Sequence, residues 1–130
     1  MSAPRRFRLD RRALAQAFDR ASTSYDAAAT LQRAVRDELF ERLQYFRLEP
    51  RCIVDLGSGT GAAAVMLRRR YNKSRVVAID VAPGMLRESR KRQRLWRRFD
   101  RICADAVALP IATGSVDLVF CCLMLQWCDD

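Results

Sequence analysis

Glycines and carboxylates near the middle of the chain have the spacing of a ligand-binding turn. Residues 53–62 read IVDLGSGTGA, where an apolar run containing Asp55 opens into Gly57, Gly59 and Gly61. Glycine permits a sharp turn and lets a ligand approach the bare backbone. A helix that begins after such a turn directs its free N–H groups at the ligand. The pattern therefore predicts the first half of a nucleotide-cofactor site.

Two classes of cofactor fit this spacing. Gly57, Gly59 and Ala62 satisfy the G-x-G-x-x-G/A pattern of nicotinamide and flavin sites. Asp55, however, stands two residues before the first glycine, where a carboxylate would repel a pyrophosphate and attract a cation. S-adenosylmethionine carries an ammonium and a sulfonium and no phosphate. Asp55 therefore favours S-adenosylmethionine over a dinucleotide.

Further aspartates follow the next apolar runs. Asp80 ends the run RVVAID, and 80 − 61 = 19 residues separate it from Gly61. The tips of both strands in a right-handed β-α-β unit are neighbours, so Asp80 could accept both hydroxyls of a ribose. Its alternative role is to cap a helix that begins near Pro83. Asp105, after a third run, could hold an adenine amino group, whereas Asp117 falls at the opposite end and is expected to be structural.

Alternating strands and helices must position these side chains. Apolar runs predict four strands, at residues 52–56, 75–80, 101–104 and 115–122, and a helix at 62–71. Strands that alternate with helices form a parallel sheet in an α/β fold. A second helix is predicted from Pro83, and residues 123–127 are expected to form a helix or turn. The apolar side of that second helix would consist of Met85, Leu86, Leu95, Trp96 and Phe99.

The residues before the first strand are expected to be helical. Within Arg11–Arg47, apolar residues recur at three- and four-residue steps and predict an amphipathic helix. These residues are Leu31, Val35, Leu39, Leu43 and Phe46. Asp26, in a polar break ahead of them, is a candidate cap. We therefore divide one domain, residues 1–130, into an N-terminal helical region at 1–50 and a cofactor-binding half at 51–130.

Composition excludes several classes of protein. A chain of 130 residues that is 50% hydrophobic can build one domain with a real core. No apolar run is long enough to cross a membrane, and the N-terminus lacks the apolar core of a secretory signal. The chain has no histidine, which excludes histidine metal ligands and histidine bases, and we predict no metal site. Five cysteines without C-x-x-C spacing suit a reducing compartment, and we expect the cytoplasm.

The net charge of +9 is concentrated in one segment. Residues 81–101 carry eight basic and two acidic side chains, a balance of +6, whereas residues 102–130 carry four acidic and no basic side chains. A solvated helix face accounts for such a segment. A docking surface for an acidic protein partner is the functional alternative, and a nucleic-acid surface is the third. Of the macromolecular partners, we favour an acidic protein and expect no nucleic acid and no membrane.

The order of these motifs resembles the S-adenosylmethionine-dependent methyltransferases of Rossmann-like fold. VDLGSGTG, VVAIDVAPGML, DAVALP and SVDLVF occur in that order and cover nearly everything from Cys52 onward. The flanking segments AFDRASTSYDAAATLQRAV and LMLQWCDD are more diagnostic than the glycines, which many methyltransferases share. These flanks are similar to the malonyl-[acyl-carrier-protein] O-methyltransferases of biotin synthesis.

The resemblance implies a reaction and a set of site residues. The reaction is methyl transfer to the free carboxylate of malonyl-acyl carrier protein or malonyl-CoA, which needs no general base, and we identify no catalytic residue. Tyr25, Gln126 and Trp127 are candidates for the substrate side of the pocket. The residues implied to bind S-adenosylmethionine are Asp55, Gly57, Ser58, Gly59 and Gly61 at the methionine end, Asp80 at the ribose, and Asp105 and Ala106 at the adenine.

The resemblance also implies a larger sheet than this chain can build. Members of the family have seven strands in the order 3-2-1-4-5-7-6, of which we expect only the first four, in the order 3-2-1-4. We therefore expect an N-terminal fragment without the C-terminal strands, with little or no activity by itself, from a protein that is monomeric at full length. Cys121 and Cys122 stand where relatives often have serine and asparagine, which removes polar contacts near the reacting centre.

Three alternative functions also fit the sequence. A quinone-type or other small-molecule methyltransferase would share the whole cofactor half. An NAD-dependent oxidoreductase would share the glycine turn. A non-catalytic assembly factor would share the fold without the reaction.

Overall fold

The apolar runs form a parallel sheet in the computed structural model, which describes residues 8–128. The strands are β1 (Cys52–Leu56), β2 (Arg75–Asp80), β3 (Asp100–Cys103) and β4 (Leu118–Cys121). Their order across the sheet is β3-β2-β1-β4, and every neighbouring pair is parallel. The predicted order 3-2-1-4 and the α/β class are confirmed.

Helices lie before the strands and between them. The N-terminal region contains α1 (Arg11–Ala21), α2 (Tyr25–Ala28) and α3 (Thr30–Arg42), followed by a 3₁₀ turn at Leu43–Tyr45. The helices α4 (Ala62–Arg70) and α5 (Pro83–Arg92) follow β1 and β2, and a second 3₁₀ turn occupies Leu125–Trp127. None of the helices described in residues 8–128 is both long enough and apolar enough to cross a membrane.

The strands β1 and β2 are buried on both faces because their runs of Ile, Val, Leu and Ala leave no polar face. On one face, Ile53 and Val76 pack with Ala64 and Leu67 of α4. On the other face, residues of β1 and β2 pack against the loops that follow β3 and β4. Those residues are Val54, Leu56, Val77 and Ile79. The glycine turn therefore begins from a rigid strand.

The N-terminal region is helical as predicted, but its details differ. Leu39 and Leu43 pack against the core, whereas Leu31 and Phe46 are 65% and 61% exposed. The expected cap at Asp26 is wrong, because Asp26 lies inside α2 and the residue before α3 is Ala29, which makes no side-chain cap. The Asp26 carboxylate instead accepts a hydrogen bond from Thr60 Oγ1 at 2.6 Å.

The helix predicted from Pro83 begins as expected and ends early. Met85 and Leu86 are buried in α5, and Phe99 is buried beyond it. Leu95 and Trp96, however, are 66% and 79% exposed, because α5 ends at Arg92 and the chain then turns tightly. The predicted apolar side is wrong for these two residues.

The ends of the later strands also differ from prediction. β3 begins at Asp100 rather than Arg101, and β4 is shorter than residues 115–122. Asp117 precedes β4 and accepts hydrogen bonds from the N–H groups of Arg51 at 2.8 Å and Cys52 at 2.9 Å. These two N–H groups lower the pKa of Asp117. The structural role expected of Asp117, at the end of β1 away from the glycine turn, is confirmed.

Gly61 supports the turn by packing, which yields a prediction. Its φ is +86°, and a Cβ there would lie 2.6 Å from the Ser89 Cβ of α5. Gly61→Ala should therefore lower the free energy of unfolding by about 2 to 4 kcal/mol, through backbone strain and overpacking together. Chemical denaturation measures this change.

Gly114 provides the matched control for Gly61. Its φ is +73°, but no atom lies within 4 Å of the position of an added Cβ. Gly114→Ala should therefore show only the backbone cost, of about 1 kcal/mol. Equal losses in the two variants would contradict the packing role of Gly61.

Candidate functional site

The glycine turn joins the C-terminal ends of β1 and β2. The N–H groups of Gly57 and Ser58 both donate to the carbonyl oxygen of Ile79 at 2.9 Å. The N–H of Gly59 donates to Asp80 Oδ2 at 2.8 Å. The two strand ends are neighbours, as the parallel register requires, and the turn follows directly from them.

A cavity of about 250 Å³ opens above this turn. It lies between the ends of the strands, helix α1 and the 3₁₀ turn at Leu125–Trp127. The sequence-predicted residues on its wall are Tyr25, Gly57, Gly59, Asp80, Ala106, Gln126 and Trp127. Candidates for the cofactor and for the substrate thus share one cavity, which we call the first cavity.

Asp80 holds part of the wall of the first cavity in place through two hydrogen bonds from the backbone. Its Oδ2 accepts from Gly59 N–H, and its Oδ1 accepts from Ala82 N–H at 2.9 Å. Burial raises the pKa of this carboxyl, while the N–H bonds act to lower it. Asp80 therefore holds the glycine turn and the residue before α5 at the same time, while ribose binding by Asp80 stays a prediction.

Asp55 and Ser58 face a second cavity, of about 480 Å³, on the α3 and α4 side of the turn. Asp55 is 2% exposed, and burial followed by the negative charge of Asp80 raises its pKa to about 7. Asp55 Oδ2 and Ser58 Oγ are buried and have no hydrogen-bond partner among residues 8–128. A buried oxygen without a partner is costly, so this arrangement is typical of a site that a ligand completes.

Arginines surround the second cavity. Its wall includes Arg33, Arg36, Arg69, Arg92 and Arg94, and we call it the arginine cleft. The first cavity and the arginine cleft share the wall residues Tyr25, Gln32, Gly57, Gly59 and Cys122. A ligand that passes over the glycine turn could therefore occupy both.

Two predicted residues lie outside both cavity walls. Gly61 packs against Ser89, as described above. Asp105 is held by Arg11, which donates from Nε to Oδ2 at 2.7 Å and from Nη2 to Oδ1. This ion pair lowers the pKa of Asp105. Arg11 also donates to the Trp127 carbonyl oxygen, so it ties α1 to both edges of the first cavity.

Sequence reasoning missed the contribution of α1. Arg11, Leu14 and Phe18 line the first cavity, and the Phe18 ring meets Trp127 edge-on at 5.8 Å between centroids. Their spacing of three and four residues places them on one helical face, so periodicity was the signal that could have found them. Their partners lie about a hundred residues away, which no local pattern reveals.

Side chains of α2 and of the segment after β4 cover the glycines. Tyr25 Cε1 would lie 3.9 Å from a Cβ added to Gly59, and a Cβ on Gly57 would overlap the Met124 side chain. Burial, and then the charge of Asp80, raises the pKa of Tyr25. Arg92 of α5 pairs with Asp26, which also binds Thr60, so α2 is tied to both the turn and α5.

Cys122 lies where the two cavities meet, and Cys121 precedes it at the end of β4. Burial raises the pKa of both thiols. These neutral, weakly polar groups suit packing better than nucleophilic attack. Within residues 8–128, no group of three or more acidic or cysteine side chains is arranged to hold a metal ion.

Comparison with known proteins gives the family and close relatives. Residues 53–130 match the family model described as a methyltransferase domain. A malonyl-[acyl-carrier protein] O-methyltransferase of Methylovorus sp. (strain MP688) is 43% identical over 128 residues, covering 94% of this chain and 43% of the relative. A protein of the same name from Halorhodospira halophila is 48% identical over 122 residues, covering 94% of this chain and 41% of the relative. The chain thus spans less than half the length of these curated relatives.

Solved structures share the fold. Phosphoethanolamine N-methyltransferase 1 of Haemonchus contortus, in complex with phosphoethanolamine and S-adenosylhomocysteine, superposes with a TM-score of 0.68 at 24% identity, over 85% of this chain and 25% of that one. A putative methyltransferase of Haloferax volcanii, in complex with the activator Trm112, superposes with a TM-score of 0.59 at 25% identity. The match covers 78% of this chain and 46% of that one. Because the family model covers more than half of its residues, this chain belongs to the methyltransferase-domain family.

Proposed function

We propose that this chain contributes the cofactor-binding part of an enzyme that methylates the free carboxylate of malonyl-acyl carrier protein. The donor is S-adenosylmethionine, and the methyl ester serves as a primer for biotin synthesis. The substrate is taken from the names of relatives that are 43% and 48% identical to this chain. In this proposal residues 51–130 bind the cofactor and residues 1–50 cover it.

The observation that carries the cofactor is the buried carboxylate of Asp55. Its Oδ2 lacks a partner within residues 8–128, and a ligand ammonium would supply one. A dinucleotide pyrophosphate would instead meet the like charges of Asp55 and Asp80. The residues therefore fit S-adenosylmethionine better than a dinucleotide.

The other residues proposed to contact the cofactor are assigned by where they lie along the two cavities. Gly57, Ser58 and Gly59 would border the methionine end, and Asp80 would accept the ribose hydroxyls. Ala106 lines the first cavity beyond Asp80, where an adenine would lie, and Asp105 is next to it in the chain. Gly61 would support this site by packing against Ser89.

The protein's part in the reaction is to align the substrate and exclude water. S-adenosylmethionine, when bound, supplies a methyl group on a positively charged sulfur. A malonyl carboxylate is already ionised at neutral pH, so no general base is needed. Tyr25, Gln126 and Trp127 line the first cavity and would orient this carboxylate. Orientation of this kind is worth roughly 7 to 11 kcal/mol of barrier.

Basic side chains beyond the site would bind the acidic carrier protein. Arg90, Arg98 and Arg101, together with the single acidic residue Asp100, line a shallow depression of about 440 Å³ between the end of α5 and the start of β3. Complementary charge of this kind accelerates association and weakens as salt is added. We also place the reaction in the cytoplasm, because all five cysteines are free, as suits a reducing compartment.

Charge reversal tests this carrier surface. Arg90→Glu with Arg98→Glu should raise the KM of the complete gene product for malonyl-acyl carrier protein about tenfold, because attraction becomes repulsion. The KM for malonyl-CoA should not change. A steady-state assay with both substrates measures the two values, and an equal loss on both would remove the carrier surface from the proposal.

Genetic complementation tests the proposed function. The complete gene product should restore growth without biotin to a bacterium that lacks its own malonyl-carrier methyltransferase. The Asp80→Ala variant is the matched negative control. If a well-expressed product that binds S-adenosylhomocysteine fails to restore growth and instead methylates a quinol precursor, the malonyl assignment is wrong.

A further inference from the structure

The arginine cleft extends outward to a cluster of like charges. A small hollow of about 20 Å³ adjoins it and is lined by Val65, Arg69, Arg94 and Arg97. Arg69 comes from the end of α4, and Arg94 and Arg97 come from the turn after α5. Arg69 and Arg94 also form part of the cleft wall, so hollow and cleft are continuous.

The three arginines that line this hollow have no acidic partner among the described residues 8–128. Arg92, by contrast, pairs with Asp26, and Arg36 pairs with Asp37. No ion pair within residues 8–128 involves Arg69, Arg94 or Arg97. Arg69, Arg94 and Arg97 are exposed, so water weakens the repulsion between their charges, but all three are available to an anion that enters the hollow.

The number and type of these cations favour a phosphate. Guanidinium forks bind phosphate oxygens with paired hydrogen bonds, and several arginines can share one group. From the hollow, the cleft runs past apolar side chains to the glycine turn, where it meets the first cavity. Those apolar side chains are Ala62, Ala63, Val65 and Met66. The path thus has the hollow of Arg69, Arg94 and Arg97 at one end, a wall of mixed apolar, basic and acidic side chains, and residues shared with the first cavity.

We propose that Arg69, Arg94 and Arg97 bind the phosphate of a phosphopantetheine arm, and that the arginine cleft leads its acyl thioester to the first cavity. This inference rests on the proposed function, because carrier protein and coenzyme A present the malonyl group on the same arm. The arm has a phosphate at one end and a thiol at the other, with a slender amide chain between them; the hollow offers cations for the phosphate, and the cleft that adjoins it shares wall residues with the first cavity.

Binding of phosphopantetheine that is not attached to a carrier protein tests this inference on the purified chain. The probes are 4′-phosphopantetheine, pantetheine without the phosphate, and inorganic phosphate, each titrated into the purified chain by calorimetry. We expect 4′-phosphopantetheine to bind at least about tenfold more tightly than either other probe, because charge-assisted hydrogen bonds are added to contacts along the arm. Equal affinity for pantetheine, or equal affinity for inorganic phosphate, would overturn the proposal.

Variants locate the site. Arg69→Gln with Arg94→Gln should abolish the preference for the phosphorylated arm. Arg70→Gln is the matched control, since Arg70 neighbours Arg69 on α4 but contacts the Tyr71 ring instead of the cleft. Loss of the preference in Arg70→Gln alone, or its survival in the double variant, would overturn the proposal.

Two further measurements separate this inference from its premises. S-adenosylhomocysteine should bind the double variant as it binds the parent chain, so that loss of the arm preference with retention of this ligand supports the arm site. A parent chain that binds S-adenosylhomocysteine but shows no preference for the phosphorylated arm would contradict the arm site alone and leave the proposed function standing. In the complete gene product, the same double variant should raise the KM for malonyl-CoA and for malonyl-acyl carrier protein alike. Arg90→Glu with Arg98→Glu should raise only the KM for malonyl-acyl carrier protein. The two double variants therefore distinguish binding of the arm from binding of the carrier protein.

Discussion

Asp55→Asn is expected to stabilise the unliganded chain and to weaken its binding of S-adenosylhomocysteine. The folded pKa of Asp55 is raised to about 7 by burial and by Asp80. Above that pH the buried side chain is charged and has an oxygen without a partner. The neutral amide avoids the cost of the buried charge while keeping a polar atom at that position, so the free energy of unfolding at pH 8 should rise by about 1 to 3 kcal/mol.

The pH dependence of stability identifies the cause. A carboxyl with a raised folded pKa favours folding fully at low pH, and this contribution is lost as pH rises from 3.8 towards about 7. The gain from Asp55→Asn should therefore be small near pH 4 and grow up to about pH 7. Urea denaturation at several pH values measures it, and a gain that is constant with pH would contradict the account.

Ligand binding by Asp55→Asn should change in the opposite direction. Loss of the charge that faces the ligand ammonium should weaken S-adenosylhomocysteine binding about 10- to 100-fold at pH 8, because a charged hydrogen bond is worth about 1.5 to 3 kcal/mol. In the parent chain, affinity should rise with pH through about 7 as Asp55 ionises. Unchanged affinity in the variant would place the ligand elsewhere.

Asp80→Ala is expected to lower both stability and affinity. The change leaves the N–H groups of Gly59 and Ala82 without their acceptors, which lie at 2.8 and 2.9 Å in the parent. Each of the two orphaned N–H groups costs about 1 to 3 kcal/mol, so the free energy of unfolding should fall by about 2 to 6 kcal/mol. Affinity for S-adenosylhomocysteine should fall at least about 100-fold, because the glycine turn and the ribose contacts are lost together.

Asp117→Ala is the matched control for Asp80→Ala. Asp117 also accepts two backbone N–H bonds, from Arg51 and Cys52, but at the other end of β1. Its loss should reduce stability and leave affinity unchanged once folded protein is compared. Similar affinities for the Asp80 and Asp117 variants would remove Asp80 from the binding site.

The sequence predicted the parts of this molecule that depend on nearby residues. Strand β1, the glycine turn and Asp80 follow from one apolar run, three glycines and a second apolar run. Parallel pairing then brings Asp80 to the turn without further information. The sheet order followed from the resemblance to a family rather than from these residues alone.

Predictions that depended on distant contacts were less accurate. Aspartate often caps a helix, but the carboxylate of Asp26 binds Thr60 and Arg92, which are far along the chain. Nothing in the sequence marks the end of α5 at Arg92, since neither glycine nor proline follows it there. The pairing of Arg11 with Asp105 joins residues 94 positions apart, which only the folded structure reveals.

Cofactor binding by the purified chain is the most direct test of the central claim. Isothermal titration with S-adenosylhomocysteine and with NADH, under identical conditions, compares the two classes of cofactor that fit the glycine spacing. We predict saturable one-to-one binding of S-adenosylhomocysteine, no binding of NADH, and loss of the former in Asp80→Ala. Binding of NADH without binding of S-adenosylhomocysteine would contradict the account.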